Sequence, residues 1–262
     1  MTGETKRLAK SHQSIMSGQS AMTSYQDVIL GRRSLLWLLY YEFCMWLSPI
    51  PGALGLVLRK LFWPRLFGAC GRKVYFGSNV ALMHPHRIRI GDCTAIGNGC
   101  VLDARADMLE PLLTIGDDVM LSHNVMISSK NGVISIGDRV GIGPFTVVQA
   151  ADSSEIEIGD DAVIAAHCYI AGGGEYTFER LDVPIARQKM RATGATSLGS
   201  GVWLGTRVTV LGGRSIGRDS IVGAGAVVTR DLPPRSISTG IPARVVRHRG
   251  EDEAKAEKAV AL

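Results

Sequence analysis

Residues 198–228 read LGSGVW LGTRVT VLGGRS IGRDSI VGAGAV V, and an aliphatic side chain opens every group of six: Leu198, Leu204, Val210, Ile216, Val222 and Val228. The same phase runs upstream in sets of three: Ile90, Ile96, Leu102; Ile115, Leu121, Ile127; Ile136, Ile142, Val148; Ile158, Ile164, Ile170. Four residues after each aliphatic stands a small or β-branched one: Thr94, Cys100, Val119, Val125, Val140, Thr146, Ala162, Cys168, Val202, Val208, Ser220 and Ala226. A six-residue period is neither the 3.6 of a helix nor the 2 of a plain strand. The fourth residue after one aliphatic lies two before the next, so both point to the same side of a short strand. Glycine just after the aliphatic suits a corner, because it tolerates positive φ. Three short strands and three corners make a triangular coil, and stacked coils align the aliphatics in internal ladders.

Composition agrees with this reading. The 262 residues are 46% hydrophobic and 20% charged, which excludes a disordered chain. At this size about 70–75% of the unfolded surface can be buried, so no disulfide or metal is needed for a core. Thirty-one glycines against four Trp, six Tyr and six Phe indicate many tight turns around small aliphatic side chains. Cys44, Cys70, Cys93, Cys100 and Cys168 are odd in number and form no C-x-x-C pair, so neither a disulfide framework nor a zinc knuckle is expected. Cys100 and Cys168 fall in the small inward column and read as core. No apolar signal segment opens the chain, and the expected setting is a reducing cytoplasm. The net charge of +5, without a dense basic run, gives no nucleic-acid signature.

The pattern resembles the hexapeptide-repeat acyltransferases over residues 74–248. It is strongest in Val202-Trp-Leu-Gly-Thr206, in Ile221-Val-Gly-Ala-Gly-Ala-Val-Val-Thr-Arg-Asp-Leu-Pro-Pro234, and in Gly240-Ile-Pro-Ala-Arg244. The branch it is most similar to is the sugar O-acetyltransferases, of the maltose and galactoside type and of surface-polysaccharide synthesis. The resemblance implies an all-β solenoid, the left-handed parallel β-helix. It also implies a homotrimer whose inter-subunit groove holds acetyl-coenzyme A (acetyl-CoA) along the C-terminal coils, with the base a histidine in an extruded loop.

Spacing places that loop. Leu198 to Ile216 spans one uninterrupted turn, whereas Ile158 to Leu198 leaves an excursion over 172–195. Long excursions from a rigid repeat are more often functional than accidental. Carried over from the family, the coenzyme A residues are Gly205, Thr206, Ala224, Thr229, Arg230, Arg244 and Arg247. Gly205 and Ala224 are equally explained by the need for small corners. The family's loop histidine falls on Glu175, and the loop holds no histidine at all. Glu175 is therefore a candidate base, with His123 and His167, expected near corners and pointing outward, as alternatives. Asp152 matches a position lining the acceptor site, and Asp182 belongs to the loop phrase Asp-Val-Pro-Ile; either also reads as a turn residue. His84-Pro-His86 has an intervening proline and no third ligand at short spacing, so no metal site is expected.

The ends differ from the repeat. Residues 1–33 read as a polar, flexible tail. Residues 34–73 are apolar and aromatic, with Trp37, Trp46 and Trp63. The stretch Leu35 to Leu47 would span about 20 Å as a helix, short of a ~30 Å hydrocarbon core. Pro49 and Pro51 break it before a second apolar piece, Ala53 to Phe67, and Arg32, Arg33, Arg59, Lys60 and Arg65 flank the apolar parts. The segment 34–70 reads either as a membrane-surface anchor on the inner face or as a helical cap on the open first coil. A leading partial coil at Phe76, Leu82 and Ile88 is expected, and 249–262 is a C-terminal tail in which Glu251 to Leu262 reads as a short solvated helix.

The function expected from these readings is a coenzyme A-dependent O-acyltransferase, acetyl on a free or lipid-linked sugar. A catalytically silent scaffold is the alternative from a different class, motivated by the missing loop histidine. A zinc-dependent hydratase on the same fold is a distant third.

Overall fold

The computed structural model describes residues 20–106, 112–151, 153–191 and 193–250. The chain winds into a left-handed parallel β-helix of about seven turns with three flat faces. Face 1 contains Ile88–Ile90, Leu113–Ile115, Val133–Ile136, Glu155–Ile158, Thr196–Leu198 and Ser215–Ile216, with Ala69–Cys70 at its start. Face 2 runs from Tyr75–Phe76 to Ile221–Val222 and is extended by Ser236–Thr239 and the antiparallel Arg244–His248. Face 3 runs from Ala81–Met83 to Val227–Val228.

Each hexad aliphatic takes its place in a ladder. Ile136, Ile158, Leu198 and Ile216 are successive parallel partners on face 1, Ile142, Ile164, Leu204 and Val222 on face 2. All eighteen of these aliphatics are at most 3% exposed, and the twelve residues of the small column at most 2%. Cys100 and Cys168 are buried there, and burial raises both thiols above the ordinary cysteine range.

Two expectations about the coil are corrected. The glycine after each aliphatic does not have positive φ. The left-handed residue is the third after the aliphatic: Cys93, Asp118, Asn124, Arg139, Phe145, Asp161, His167, Arg207 and Asp219, among others. The glycine is required by stacking instead. A Cβ on Gly91 would come within 2.2 Å of Asp117 Oδ1, and one on Gly205 within 2.6 Å of Ala224 N. The leading coil is Cys70, Phe76 and Leu82, paired with Ile90, Ile96 and Leu102, while Ile88 shares a strand with Ile90.

A ladder of aspartates runs up the corner between faces 1 and 2. Asp92, Asp117 and Asp138 each donate a backbone N–H to the carboxylate of the next coil's Asp117, Asp138 and Asp160. The side chains therefore extend the backbone pairing around a corner that the strands leave open.

The N-terminal segment folds onto the open first coil. Residues 20–33 are not a free polar tail: Ser20 caps helix α1 (Ala21–Tyr25), a π-helical turn follows at Gln26–Leu30, and Leu30 is fully buried. Helix α2 (Leu35–Trp46) starts at an N-cap hydrogen bond from Trp37 N–H to Ser34 Oγ. Pro49 and Pro51 separate it from helix α3 (Gly52–Phe62). Three carbonyls of the first coil, two in its strands and one at Val80 between them, find donors in this segment. Arg59 Nε donates to Phe76 O at 3.0 Å, Ser48 Oγ to Val80 O at 3.0 Å, and Tyr41 Oη to Leu82 O at 2.6 Å. Arg59, 3% exposed, also donates to the carbonyls of Leu47, Ser48 and Ile50, and burial lowers its pKa. Through these hydrogen bonds the segment packs on the first coil. Residues 1–19 and the expected C-terminal helix from Glu251 onward lie outside the described residues.

Candidate active site

The steps from face 1 to 2 and from face 2 to 3 keep the six-residue beat, so extra residues enter only where the chain passes from face 3 back to face 1. That edge carries the turn at Pro85–Arg87, residues 104–106 and the excursion 172–195. The excursion opens with the two-stranded hairpin Glu175–Tyr176 and Met190–Arg191, in which Glu175 lies opposite Arg191. Its root is packed tightly between coils. A Cβ on Gly173 would lie 2.8 Å from Ser154 Cβ above, and one on Gly213 below would lie 1.8 Å from Thr193 O. The glycines Gly172 and Gly173 are there because nothing larger leaves the coil at this point.

Glu175 is half-buried at this root, while the hairpin tip exposes Phe178, Leu181 and Ile185, Leu181 to 98%. Asp182 forms a bidentate pair with Arg180, at 3.1 and 2.5 Å, which holds its carboxyl below the ordinary aspartate range. Both partners are about two-thirds exposed, so the pair shapes the loop and adds little to stability. Asp152 lies outside the described residues. Thr229 and the exposed Arg230 follow face 3's last strand, so they too stand on this edge, where Asp231 accepts from Ser215 N–H at 2.9 Å.

The second group of candidates stands on a different edge, between faces 2 and 3. Backbone hydrogen bonds link Phe145 N–H to His123 O, His167 N–H to Pro144 O, Arg207 N–H to Ala166 O, and Gly225 N–H to Thr206 O. His123, Thr206 and Ala224 therefore share one line up this corner, and Phe145, His167 and Arg207 the line beside it. His167 is exposed and in the left-handed region, and its ring lies flat on Phe145, with centroids 5.1 Å apart and planes 7° apart. Gly205 fits its structural reading, since the next coil occupies the space of a Cβ; Gly225, by contrast, has nothing within 4 Å of that position. Arg244 and Arg247 are exposed on Arg244–His248, the strand that closes face 2, with partners Thr239 and Ile237.

The faces themselves differ. Outward positions on face 1 are Arg89, Thr114, Ser135, Glu157, Ser197 and Ser215 in register. On face 2 they are Tyr75, Ala95, Met120, Gly141, Val163, Trp203 and Ile221, with Met120 60%, Val163 53% and Trp203 51% exposed. Face 3 presents Val101, Met126, Val147 and Tyr169. Face 2 is apolar outside as well as inside, whereas face 3 mixes these apolar positions with outward Asp103, Ser128, Gln149 and Thr209.

One cluster went unread in the sequence. Asp103, 1% exposed, accepts from Arg105 Nε at 2.9 Å and Nη2 at 2.7 Å and from Ser128 Oγ at 3.2 Å, on face 3 beside the loop edge. A carboxylate at an outward strand position between apolar neighbours was the available signal. His84 and His86 stack with centroids 5.9 Å apart beneath the N-terminal turn, and His84 Nε2 bonds Asp27 O at 3.0 Å. Burial lowers His84 and takes His86 to about 3, aided by Arg32 and Arg87. Among the described residues, no three His, Cys, Asp or Glu side chains are placed to hold a metal ion.

A parallel coil of hexapeptides with an extruded loop defines a class, and comparison with known proteins agrees. The family model "bacterial transferase hexapeptide (six repeats)" matches residues 195–230. The putative lipopolysaccharide biosynthesis O-acetyl transferase WbbJ of Escherichia coli K12 is 32% identical over 133 residues, 49% of this chain and 67% of that protein. The chain belongs to the hexapeptide-repeat acyltransferase family. A probable acetyltransferase of Mycobacterium tuberculosis is 32% identical over 168 residues, 64% of this chain and 54% of that protein. The chain spans about half the length of this and several other curated relatives, 54% in each. Among solved structures, a variant of the N-acyltransferase AntD from Bacillus cereus, in complex with dTDP and coenzyme A, shares the fold. Its TM-score is 0.51 at 19% identity, covering 82% of this chain and all of that one.

Proposed function

We propose that the protein is a coenzyme A-dependent O-acyltransferase that moves an acetyl group to a sugar hydroxyl, and that its site is completed between copies of the chain. The observation that carries this is the division of the candidates between two edges of one prism. Glu175, Asp182, Thr229 and Arg230 stand on the loop edge, and His123, His167, Thr206 and Ala224 on the edge between faces 2 and 3. A single protomer cannot bring two edges of a packed prism together, but a neighbour can. The apolar outward ladder of face 2, with Met120, Val163 and Trp203 exposed, supplies the surface for such packing. Membership of a transferase family, and relatives whose names are those of acetyltransferases, support the reaction class.

The chemistry asks for a base, oxyanion donors and a groove for the acyl carrier. The acceptor hydroxyl gives its proton to the base as its oxygen attacks the thioester carbonyl. The C–S bond then breaks, the thiolate takes a proton, and the sugar ester leaves. Glu175, half-buried at the hairpin root, is the proton acceptor in this reading. A second reading makes a histidine the base, oriented by Glu175 across the protomer boundary. It is favoured by His167, whose imidazole is exposed yet held flat against Phe145. Arg230, Arg244 and Arg247 are exposed cations of the kind that pairs with the donor's phosphates, and the open position at Gly225 leaves room for a close approach.

The acceptor is a sugar, free or lipid-linked, with 34–70 directed to a membrane surface. The reading is tested by following thiol release from acetyl-CoA against a panel of sugar acceptors. Acceptor-dependent release supports it, and no release with any acceptor despite donor binding favours the silent scaffold.

A further inference from the structure

We propose that the outer face of the N-terminal cap is a docking surface for an anionic lipid bilayer, on which the first-coil end of the solenoid stands. This deepens the membrane-surface reading of 34–70, and it holds or fails independently of acyl transfer.

Helix α2 is apolar on both sides but buries only one. Leu38, Tyr41 and Cys44 face the core, while Leu35, Leu36, Leu39 and Trp46, on the opposite arc, are 67%, 81%, 58% and 79% exposed. A helix hydrophobic all round is normally enclosed on all sides. Helix α3 repeats the arrangement: Gly55 and Arg59 are buried, and Leu54, Val57 and Leu61 are 66%, 60% and 59% exposed. The two outer faces adjoin through the Phe43 and Phe62 rings, in edge contact at 5.0 Å. The surface is continuous, and it points away from the solenoid because the inner arc holds the first coil's carbonyls.

Charge selects the occupant. Residues 20–73 carry six exposed Lys and Arg (Arg32, Arg33, Lys60, Arg65, Arg72, Lys73), of which Arg33 pairs with Asp27 and Arg72 with Asp92, against two acids, Asp27 and Glu42; Arg59 is buried and faces inward. Glu42 accepts from Tyr25 Oη and Asp27 pairs with Arg33, so neither acid is left to repel an anionic surface. Arg32 lies 5.0 Å over the Trp37 ring, and Arg65 donates to Leu61 O, which places cations at the margins of the apolar face. Aromatic and aliphatic side chains ringed by cations suit the boundary between headgroups and acyl chains. A second copy of this chain would bring like charges together. No described helix is long and apolar enough to cross a membrane, so the contact is with its surface. With coils spaced at about 4.8 Å, the loop 172–195 leaves the solenoid four coils, about 20 Å, from the first coil, with the thickness of the helical cap between that coil and the membrane.

The test is flotation of the full chain with vesicles of phosphatidylcholine alone and with about one-third phosphatidylglycerol. The expected result is binding to the anionic vesicles that weakens with salt and with loss of the anionic lipid. Leu36→Glu, Leu39→Glu and Trp46→Glu together should lower partitioning tenfold or more with melting unchanged, since all three side chains are exposed. Lys60→Ala with Arg65→Ala should lower it about 25-fold, five-fold for each cation near the surface. No binding to anionic vesicles overturns the proposal, as does a triple variant that binds like the parent. A vesicle-free parent that forms a larger assembly than the triple variant also overturns it, by assigning the face to a second copy. Thiol release is measured on the same samples, so loss of either property is seen apart from the other.

Discussion

Replacing Arg59 with Met is expected to cost about 3–5 kcal/mol of stability, far more than its single position suggests. The guanidinium is 3% exposed and donates to four carbonyls: Phe76 on the first coil, and Leu47, Ser48 and Ile50 in the turn between α2 and α3. It has no acidic partner at salt-bridge distance among the described residues, so backbone oxygens alone stabilise the buried charge. Hydrogen bonds from charged donors contribute about 1.5–3 kcal/mol each, and an orphaned buried acceptor costs about 1–3. Leu47 O also accepts from Ile50 N–H at 3.4 Å and Ser48 O from Asn79 N–H at 2.9 Å, so the loss at both is partial. Against the remaining sum stands the relief of desolvating a charge, of order several kcal/mol, and the difference is the figure given. Urea unfolding followed by far-UV circular dichroism and tryptophan emission measures it; Trp63, fully buried with its indole N–H on Cys44 O, reports the cap. A loss under about 1 kcal/mol with the cap signal intact would refute the reasoning.

Gly55→Ala should destabilise by about 1–3 kcal/mol in a thermal melt, because the new Cβ would lie 1.9 Å from Ile50 O and backbone must move. Stability should fall as pH drops from 6.5: His84 and His86 have folded-state pKa values below the unfolded 6.5, so the unfolded chain binds protons first, and His86→Gln should flatten the slope between pH 6.5 and about 3. Trp203→Glu with Val163→Glu should reduce the mass seen by light scattering from a trimer to a monomer, since both lie on the apolar outer ladder of face 2. Arg230→Ala or Arg244→Ala should weaken acetyl-CoA binding roughly 10- to 150-fold by calorimetry without changing the melt.

The repeat was legible because each of its positions has one physical job. Ile158, Ile164 and Ile170 could be assigned to three faces from spacing alone, and the exit after Ile170 followed from the break in that spacing. The function of the glycine was misread, since sequence cannot distinguish a residue that needs positive φ from one that needs no Cβ. Only the stacked neighbour, such as Ala224 N above Gly205, decides that. Cys70 escaped the leading coil because it is neither aliphatic nor in phase; the turn at Pro85–Arg87 adds residues before Ile90. Residues 20–33 read as a tail because polar composition hides the single buried Leu30 and the Tyr25–Glu42 pair. The candidates for the site were named residue by residue, but their division between two edges was not visible. Glu175 and His167 are only eight residues apart in the chain, and it takes the geometry of a prism to place them on different corners.

The most direct test of the account is acyl transfer itself, measured as thiol release from acetyl-CoA with sugar acceptors for the parent, Glu175→Gln and His167→Ala. The account predicts acceptor-dependent release by the parent, and a loss of about 10²–10⁴ in kcat for Glu175→Gln with donor affinity unchanged. A parent that neither binds acetyl-CoA nor releases thiol with any acceptor, or an active parent whose rate survives both substitutions, would contradict it.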